Sequence, residues 1–212
     1  MEDLWNPVSQ RFGSLRIPTN FGHTNIIKYV HRPFSSSQEM DEALISNWNS
    51  VVKPGDTVFH LGDFALPDKK LYPSEIDQLD YTKKVIESLN GNITIIFGSH
   101  DKHAYFHKKL FFGYFSKNTI AEYKVDGVDL ILSHCGMLAW ERRTHHSIHF
   151  FGHVHSGPLH PFPCQNNSCD VGIDAWNFFP VSLEAALERA RSSEGKLNLF
   201  DKYDCLIEKS DD

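Results

Sequence analysis

Four apolar segments of strand length are each followed by a small residue and then by a side chain that can bind a metal ion or transfer a proton. Because ligands of open α/β sheets bind outside the carboxyl ends of the strands, we expect these side chains to meet at one site. Carboxylate and imidazole groups are ligands of divalent cations, so the pattern predicts a metal-dependent active site. In chain order the four groups are Gly62-Asp63, Gly98-Ser99-His100-Asp101, Ser133-His134 and Gly152-His153-Val154-His155.

Each group has an ordinary structural interpretation when it is taken alone. A Gly-Asp pair after a strand is usually a turn. A single histidine at a strand end is more often a hydrogen-bonded structural residue than a metal ligand. His153 and His155, two positions apart, would point to the same side of an extended strand, as two ligands of a metal centre should. The occurrence of all four groups in this order favours one shared metal site over four unrelated turns.

The segments that must position these groups have helix and strand patterns in mixed order. Residues 36–52 and 74–90 begin with capping patterns and continue with apolar residues at helical spacing, which places Val51 and Ile76 on the apolar faces. A third helix is predicted over residues 182–191. The predicted strands are 57–61, 93–97, 122–125, 128–132 and 147–151.

The order of these elements predicts an α/β fold. Asp126-Gly127 is typical of a hairpin turn and would join two neighbouring antiparallel strands. Strands mixed with helices, with at least one hairpin, indicate a mixed sheet covered by helices. We find no internal repeat and no linker, so we expect residues 1–212 to form a single domain.

Composition limits the classes of protein that the chain can belong to. Its 212 residues are 41% hydrophobic and 23% charged, as in globular domains, and the formal net charge is −6. Nucleic-acid and membrane binders normally have a basic excess, so we expect neither partner, although metal ions or a local basic pocket could still attract an anionic substrate. Neither a signal peptide nor a run of about 18 apolar residues is present, which predicts a soluble, cytoplasmic protein.

The cysteines fit this expectation. Four cysteines in a chain of this length are not needed as disulfides, and a reduced cytoplasmic setting is the default. Cys164 and Cys169 lie in a loop rich in proline and asparagine, where they could bind a metal or form a bridge. Two ordinary thiols are the favoured interpretation.

The motif order GD, GSHD, SH and GHVH resembles the calcineurin-like metallophosphoesterase family, whose usual pattern is D-x-H, GD, GNH(D/E), H and GHxH. The resemblance covers roughly residues 15–190 and implies a four-layer αββα sandwich of two mixed β-sheets flanked by helices. Further likeness to a compact bacterial and phage branch lies in residues 21–27, Arg32-Pro33-Phe34, Leu61-Gly62-Asp63-Phe64 and Asp174-Ala175-Trp176-Asn177.

The resemblance implies a role for each placed residue. Asp63 resembles the carboxylate that bridges two metals, His134 and His153 resemble ligands of one metal, and His155 resembles a ligand of the other. The family hydrolyses phosphomonoesters or phosphodiesters by attack of a metal-bound hydroxide, with manganese, iron or zinc as the usual kind of ion.

The same resemblance implies an acid–base group beside the metals. His100 would assist the leaving group, and Asp101 would orient it by accepting its second ring proton. His23 could contact the phosphate of the substrate, although a surface histidine near a turn often has no such role.

Three positions depart from the family pattern. Pro18 and Asn20 stand where D-x-H is expected, and Ser99 replaces the asparagine of GNHD. Proline has no donor atom, and a neutral amide or hydroxyl is a weaker ligand than imidazole or carboxylate. We therefore expect one firm site at Asp63, His134 and His153, completed by Ser99 or water, and a second, weaker site formed by Asp63, His155 and Asn20.

Two functional interpretations follow. The first is a metallophosphoesterase, with reduced activity a possibility, that acts on a small phosphorylated substrate. The alternative is a catalytically impaired metal- or ligand-binding protein on the same fold, because Pro18, Asn20 and Ser99 replace usual ligands. The basic segment Arg142-Arg143-Thr144-His145-His146 leaves a phosphate-rich partner open, but the net acidity argues against long nucleic-acid tracks. Substrate, metal identity and oligomeric state are not encoded in a readable pattern.

Overall fold

Two β-sheets form the framework of the chain, for which a computed structural model describes residues 14–16, 19–101, 119–157 and 167–192. The first sheet has three parallel strands in the order β1-β2-β3, and the second has four in the order β4-β5-β6-β7. Only the β4–β5 pair of the second sheet is antiparallel among the described strands. The strands are β1 (Ser14–Arg16), β2 (Thr57–His60), β3 (Asn92–Ile95), β4 (Ile120–Val125), β5 (Val128–Ser133), β6 (Ile148–Phe151) and β7 (Ser168–Asp170).

Helices flank the two sheets, and the predicted α/β class is confirmed. The helices are α1 (Thr24–Tyr29), α2 (Ser37–Val51), α3 (Glu75–Ser88) and α4 (Leu183–Ser192), with single 3₁₀ turns at Arg143–His145 and Ile173–Trp176. No helix in the described part of the chain has the length and apolar character needed to cross a membrane.

Local sequence signals account for where the longer elements begin and turn. Ser74 and Asp77 form a complete capping box at the start of α3, which satisfies backbone N–H groups that have no partner within the helix. The two-residue turn between β4 and β5 has positive φ at both Asp126 and Gly127, as a tight hairpin requires.

The core lies on both faces of the first sheet. Val58 of β2 belongs to the buried cluster formed with α2 and α3, which includes Trp48, whereas its neighbour Phe59 belongs to the cluster shared with the second sheet, which includes Leu132 and Phe150. Full burial of a side chain of this size contributes about 1.5–3 kcal/mol each. This alternation holds the carboxyl ends of both sheets close together, which is where the predicted site residues lie.

The prediction that Val51 and Ile76 lie on the apolar faces of their helices is wrong. Ile76 of α3 is 70% exposed, and Val51 at the end of α2 is 47% exposed. Ile76 lies in the first turn of α3 and Val51 in the last turn of α2. At these ends the helix is not covered by the sheet. Cys169 is a buried residue of β7 and packs in the core, whereas Cys164 lies outside the described residues.

Candidate metal centre

The turn after β2 and the turn after β3 touch through two glycines. A Cβ atom built on Gly62 would lie 2.5 Å from the Cα of Gly98, and one on Gly98 would lie 2.3 Å from the backbone N of Asp63. Gly62 also has a φ of +85°, a region that favours glycine. The expectation that small residues permit close backbone approach at these strand ends is confirmed.

Asp63 lies at the centre of the contacts between the strand ends. Its carboxylate accepts hydrogen bonds from the backbone N–H of His100 at 2.8 Å and from the hydroxyl of Ser99 at 3.1 and 3.2 Å. Burial opposes ionisation, but the hydrogen bond and charge of His134 and the N–H of His100 outweigh it and lower the pKa of Asp63 to about 2. Asp63 is therefore a carboxylate at neutral pH.

His134 joins the carboxylate to the second sheet. Its Nδ1 lies 2.8 Å from the carbonyl oxygen of Leu61, and a carbonyl can only accept, so Nδ1 carries the proton. Its Nε2 faces the Asp63 Oδ2 at 3.2 Å and the Nδ1 of His153 at 3.1 Å. Burial disfavours the charged ring, yet the neighbouring Asp63 carboxylate outweighs it and raises the pKa of His134.

These three atoms form a set that suits a divalent cation. Two nitrogen ligands, each about 2.1 Å from one zinc ion, can be at most about 4.2 Å apart. The separations around His134 Nε2 lie inside that limit, and Oδ2 of Asp63 and both imidazole nitrogens bear lone pairs that only a proton or a cation can bridge. The residues present therefore fit a metal ion.

The expected orientation of His153 and His155 along an extended strand is wrong. Strand β6 ends at Phe151, and both histidines lie in the bend beyond it with φ of +67° and +49°. Their side chains reach the site from a turn of left-handed residues. The charge of His155 lowers the pKa of His153, after burial and the charge of His134, so the two rings lie within electrostatic range of each other.

A buried ion pair stands behind His155. The ring Nδ1 lies 2.8 Å from Asp174 Oδ2, and the same carboxylate receives two hydrogen bonds from Arg32, at 2.8 and 2.9 Å. Burial opposes ionisation of Asp174, but the His155 hydrogen bond and the Arg32 charge lower its pKa to about 2. An ionised Asp174 requires the proton on Nδ1, which leaves the Nε2 of His155 free to bind a cation.

The hydrogen-bond partners of Asp101 differ from the one expected. Its two oxygens accept backbone N–H groups from Asp63, Phe64 and Gly98, at 2.8, 2.9 and 2.8 Å. The carboxylate is 2% exposed and holds the turn after β2 against the turn after β3. The structure therefore directs Asp101 to the backbone that carries Asp63, in place of the expected bond to the His100 ring.

The two remaining histidines line the open side of the site. The His100 side chain is 46% exposed, and its Nε2 lies 3.9 Å from Asp63 Oδ2. The His23 ring lies 6.5 Å from the His100 ring, centroid to centroid. Burial, followed by the charges of His100 and Arg32, lowers the pKa of His23 to about 4, so His23 is neutral at physiological pH.

The positions that depart from the family pattern also reach the site. The backbone of Asn20 donates to the carbonyl oxygen of Asp63 at 3.0 Å. Its amide Nδ2 is buried and has no hydrogen-bond partner, and rotating the amide by half a turn would place an oxygen donor there instead. Pro18 lies outside the described residues.

Comparison with known proteins gives a relative of similar length. No protein-family model matches the chain. The uncharacterized protein MJ1445 of Methanocaldococcus jannaschii is 34% identical over 174 residues, which cover 78% of this chain and 84% of MJ1445. The chain belongs to the MJ1445 family.

Solved structures add information on the fold of this member of the MJ1445 family. The protein of unknown function AQ665 from Aquifex aeolicus has a TM-score of 0.62 at 20% identity, covering 81% of this chain and 95% of AQ665, which shows a shared fold. A novel archaeal phosphodiesterase has a TM-score of 0.33 at 15% identity over 68% of this chain and 73% of its own, too low to bear on function.

Sequence reasoning missed one donor in this member of the MJ1445 family. The ligand atoms of His134, Cys135 and His153 all lie within 4.8 Å of one another, so these three side chains could hold a metal ion. Cys135 directly follows His134 in the sequence, and that adjacency was the available signal. Arg32 and Asp174 were noticed only through family resemblance, because nothing in their local sequence indicates that they pair.

Proposed function

We propose that this protein is a metal-dependent phosphoesterase of the calcineurin-like type. One observation carries the proposal: the Nε2 of His134 lies 3.2 Å from Asp63 Oδ2 and 3.1 Å from His153 Nδ1, and the half-exposed ring of His100 stands beside them. Hydrolysis of a phosphate ester needs a cation to neutralise charge and a proton donor for the leaving oxygen. This arrangement contains candidates for both.

The residues that would hold metal ions form two ligand sets that differ in expected affinity. Asp63, His134 and His153 form the stronger set, and Ser99, which already donates to Asp63, is a weak addition. His155 and Asn20, with Asp63, form the weaker set. A divalent cation supplies Lewis acidity towards phosphate oxygens and activates water as a nucleophile.

The proton chemistry is assigned to the two histidines on the open side. His100 is exposed enough to touch substrate and donates a proton to the leaving oxygen, as a positioned imidazole does in general acid catalysis. His23, neutral because of burial, positions a phosphate oxygen by donating a ring N–H. The Arg32–Asp174 pair holds the His155 proton on Nδ1, which leaves Nε2 available as a ligand.

A catalytically impaired binding protein is the second candidate. It is favoured by Ser99, whose hydroxyl donates to both oxygens of Asp63. This neutral side chain adds no negative charge to the site. Among the described residues of the site, Asp63 would then be the one carboxylate that could balance two divalent ions, because Asp101 and Asp174 are committed to backbone N–H groups and to Arg32.

The decisive experiment measures metal content and hydrolysis on the same preparation. The protein is loaded with excess zinc or manganese and desalted, then assayed on bis-p-nitrophenyl phosphate and p-nitrophenyl phosphate. We expect at least one retained ion per chain and ester hydrolysis that a chelator abolishes. Retained metal without hydrolysis would favour the impaired binding protein.

Two variants make the result specific to the site. His134→Ala removes the ligand that bridges Asp63 and His153 and is expected to lose both the retained ion and hydrolysis. His145→Ala, on an exposed 3₁₀ turn, is the matched control and should retain the same metal content. Unchanged metal content in His134→Ala would contradict the assignment.

A further inference from the structure

We infer that Cys135 binds the metal of this site as a thiolate, together with His134 and His153, so that the site takes zinc, cobalt or iron in preference to manganese or magnesium. The inference rests on the proposed metal-dependent function and specifies its metal. The starting observation is geometric, since the three ligand atoms all lie within 4.8 Å of one another. Because Cys135 is exposed, a modest rotation about its side-chain bond can close the remaining gap.

The backbone that carries Cys135 is held in place by two contacts. The Ser133 hydroxyl donates to the Cys135 carbonyl at 2.7 Å, while the buried His149 ring contacts the same hydroxyl at 2.8 Å. On the other side, a Cβ atom on Gly136 would lie 3.2 Å from the Phe151 ring, so the chain passes closely over β6. The thiol is therefore presented from a fixed turn, next to the strand that leads to His153.

Burial and the Asp63 carboxylate raise the pKa of the Cys135 thiol in the metal-free protein, whereas the charge balance around a bound divalent ion favours the thiolate. A divalent ion held by Asp63, His134 and His153 meets only one negative charge, because both imidazoles are neutral ligands. A thiolate supplies the second negative charge, which in the family pattern comes from the aspartate that Pro18 replaces. The protein–metal unit then becomes neutral, which lowers the cost of holding the ion beside the buried Asp63 and His134.

The type of donor determines which ion is preferred. Sulfur is a soft ligand and selects zinc and similar transition metals, whereas manganese and magnesium prefer oxygen donors. A set of one carboxylate, two imidazoles and one thiolate matches the four ligands that zinc takes in tetrahedral sites. On binding, the Cys135 thiol releases its proton to solvent as the sulfur–metal bond forms, so no oxidant or reductant is required.

Cobalt(II) substitution tests the sulfur ligand directly. The full-length chain is stripped with a chelator, loaded with cobalt(II), and examined for the intense near-ultraviolet band that arises from sulfur-to-cobalt charge transfer. Wild type should show this band with cobalt bound, and Cys135→Ser should lose it. Cys205→Ser is the matched control and should keep the band.

Two further measurements avoid dependence on a single variant. In competition dialysis, Cys135→Ser should lose zinc affinity by roughly tenfold or more, the scale on which changes in a ligand shell act, with manganese affinity little changed. In wild type, bound zinc should protect Cys135 from alkylation by iodoacetamide, with mass spectrometry of the peptide as the readout.

The outcomes separate this inference from the proposed function. Cobalt bound without a sulfur band in wild type would overturn the thiolate ligand and leave the metal-dependent phosphoesterase standing. A band that persists in Cys135→Ser would also overturn it, because the sulfur would then belong to another cysteine. Failure of wild type to bind cobalt at saturation would overturn the metal centre itself.

Discussion

His134 and His155 of the candidate site each bond a protein oxygen through Nδ1, so one ring nitrogen of each is committed before any ligand arrives. His134 donates a hydrogen bond from Nδ1 to the carbonyl of Leu61, and His155 donates one from Nδ1 to Asp174. Each ring therefore exposes Nε2 in the tautomer that a cation needs. A metal ion would meet rings that are already oriented, so less conformational freedom is lost on binding.

His100 can be separated from the metal ligands by experiment. His100→Asn removes the proton donor, and we expect kcat to fall about 10²–10⁴-fold, the usual contribution of general acid–base catalysis. Metal content should stay at the wild-type level, because the ring Nε2 stands 3.9 Å from Asp63 and outside the stronger ligand set. Steady-state kinetics on p-nitrophenyl esters, with metal analysis of the same sample, checks both parts.

A parallel fall in metal content would contradict this separation and make His100 a ligand. The pH profile offers a second readout that loss of structure would not mimic. The limb that reports the proton donor should disappear in His100→Asn, while the limb that reports the nucleophile remains.

Contacts between side chains mark the limit of what could be predicted at the residue scale. The order of strand-end groups predicted which residues meet, and the structure brings Asp63, His134 and His153 together. The sequence did not predict the hydrogen-bond partners of Asp101. The GSHD motif is the same whether its carboxylate accepts a hydrogen bond from a histidine ring or from backbone N–H groups. Cys135 was missed because its adjacency to His134 was the available signal and a single cysteine forms no ligand-spacing pattern.

The turns that end the strands are the elements on which the site depends. Gly62 and Gly98 allow the turn after β2 and the turn after β3 to lie in backbone contact. Asp101 then bonds both turns at once, through the N–H groups of Asp63 and Gly98. The position of the Asp63 carboxylate is thus set by packing between two loops, more than by either loop alone.

Gly98→Ala tests this packing. The added methyl group would meet the Asp63 backbone N at 2.3 Å and its Oδ1 at 2.6 Å, and the backbone atom has no room to move cheaply. We expect a loss of about 1–3 kcal/mol in the free energy of unfolding, typical of overpacking, and loss of metal retention. Urea denaturation and metal analysis provide the measurements.

Gly55→Ala is the matched control for that substitution. A Cβ atom there has nothing within 4 Å, and its backbone lies outside the left-handed region, so stability and metal content should be unchanged. Metal retention in Gly98→Ala equal to that of Gly55→Ala would show that the close approach of the two turns is not needed.

The long helices and the hairpin were predictable from sequence, as were the four-residue strands β2, β3 and β6 through their apolar runs. Strand β1, helix α1 and strand β7 were not. Helices α2 and α3 and the β4–β5 hairpin have capping residues, periodicity and turn residues that all agree. Strand β1, helix α1 and strand β7 have three to six residues, too few to show a period, and their existence depends on neighbours distant in sequence. The bend after β6 likewise follows from tertiary packing.

At the scale of the whole molecule, the Arg32–Asp174 pair connects distant parts of the chain. The two residues are 142 positions apart, and their side chains are 0% and 7% exposed. Arg32 also donates to the carbonyl of Thr19, directly before Asn20. The pair therefore ties the loop after α1 and the start of the site to the 3₁₀ turn that supports His155.

Asp174→Asn should destabilise the metal-free protein by about 2 kcal/mol at pH 7, which is the value of lowering a carboxyl pKa from 3.8 to about 2. Because the folded pKa lies below the unfolded one, this stability is present above pH 3.8 and is lost as the pH falls through 2. The difference between variant and wild type should therefore shrink below pH 4. Urea denaturation in chelator across this range measures it.

Glu87→Gln provides the control for an exposed pair. Glu87 is 56% exposed and pairs with Lys83 at 3.8 Å on the surface of α3. Surface pairs of this kind contribute about 0–1 kcal/mol, so little change is expected at any pH. An Asp174→Asn effect no larger than that of Glu87→Gln would mean that the buried pair does not stabilise the fold.

The left-handed residues of the site imply a trade-off between activity and stability. Asn20, Asp63, His153 and His155 all have positive φ, a conformation that costs L-residues about 1–2 kcal/mol each, although Asn, Asp and His tolerate it better than most. Glycine at one of these positions would remove a ligand and also relax the backbone. A glycine variant at one of these positions is therefore expected to fold more stably and to bind metal less well.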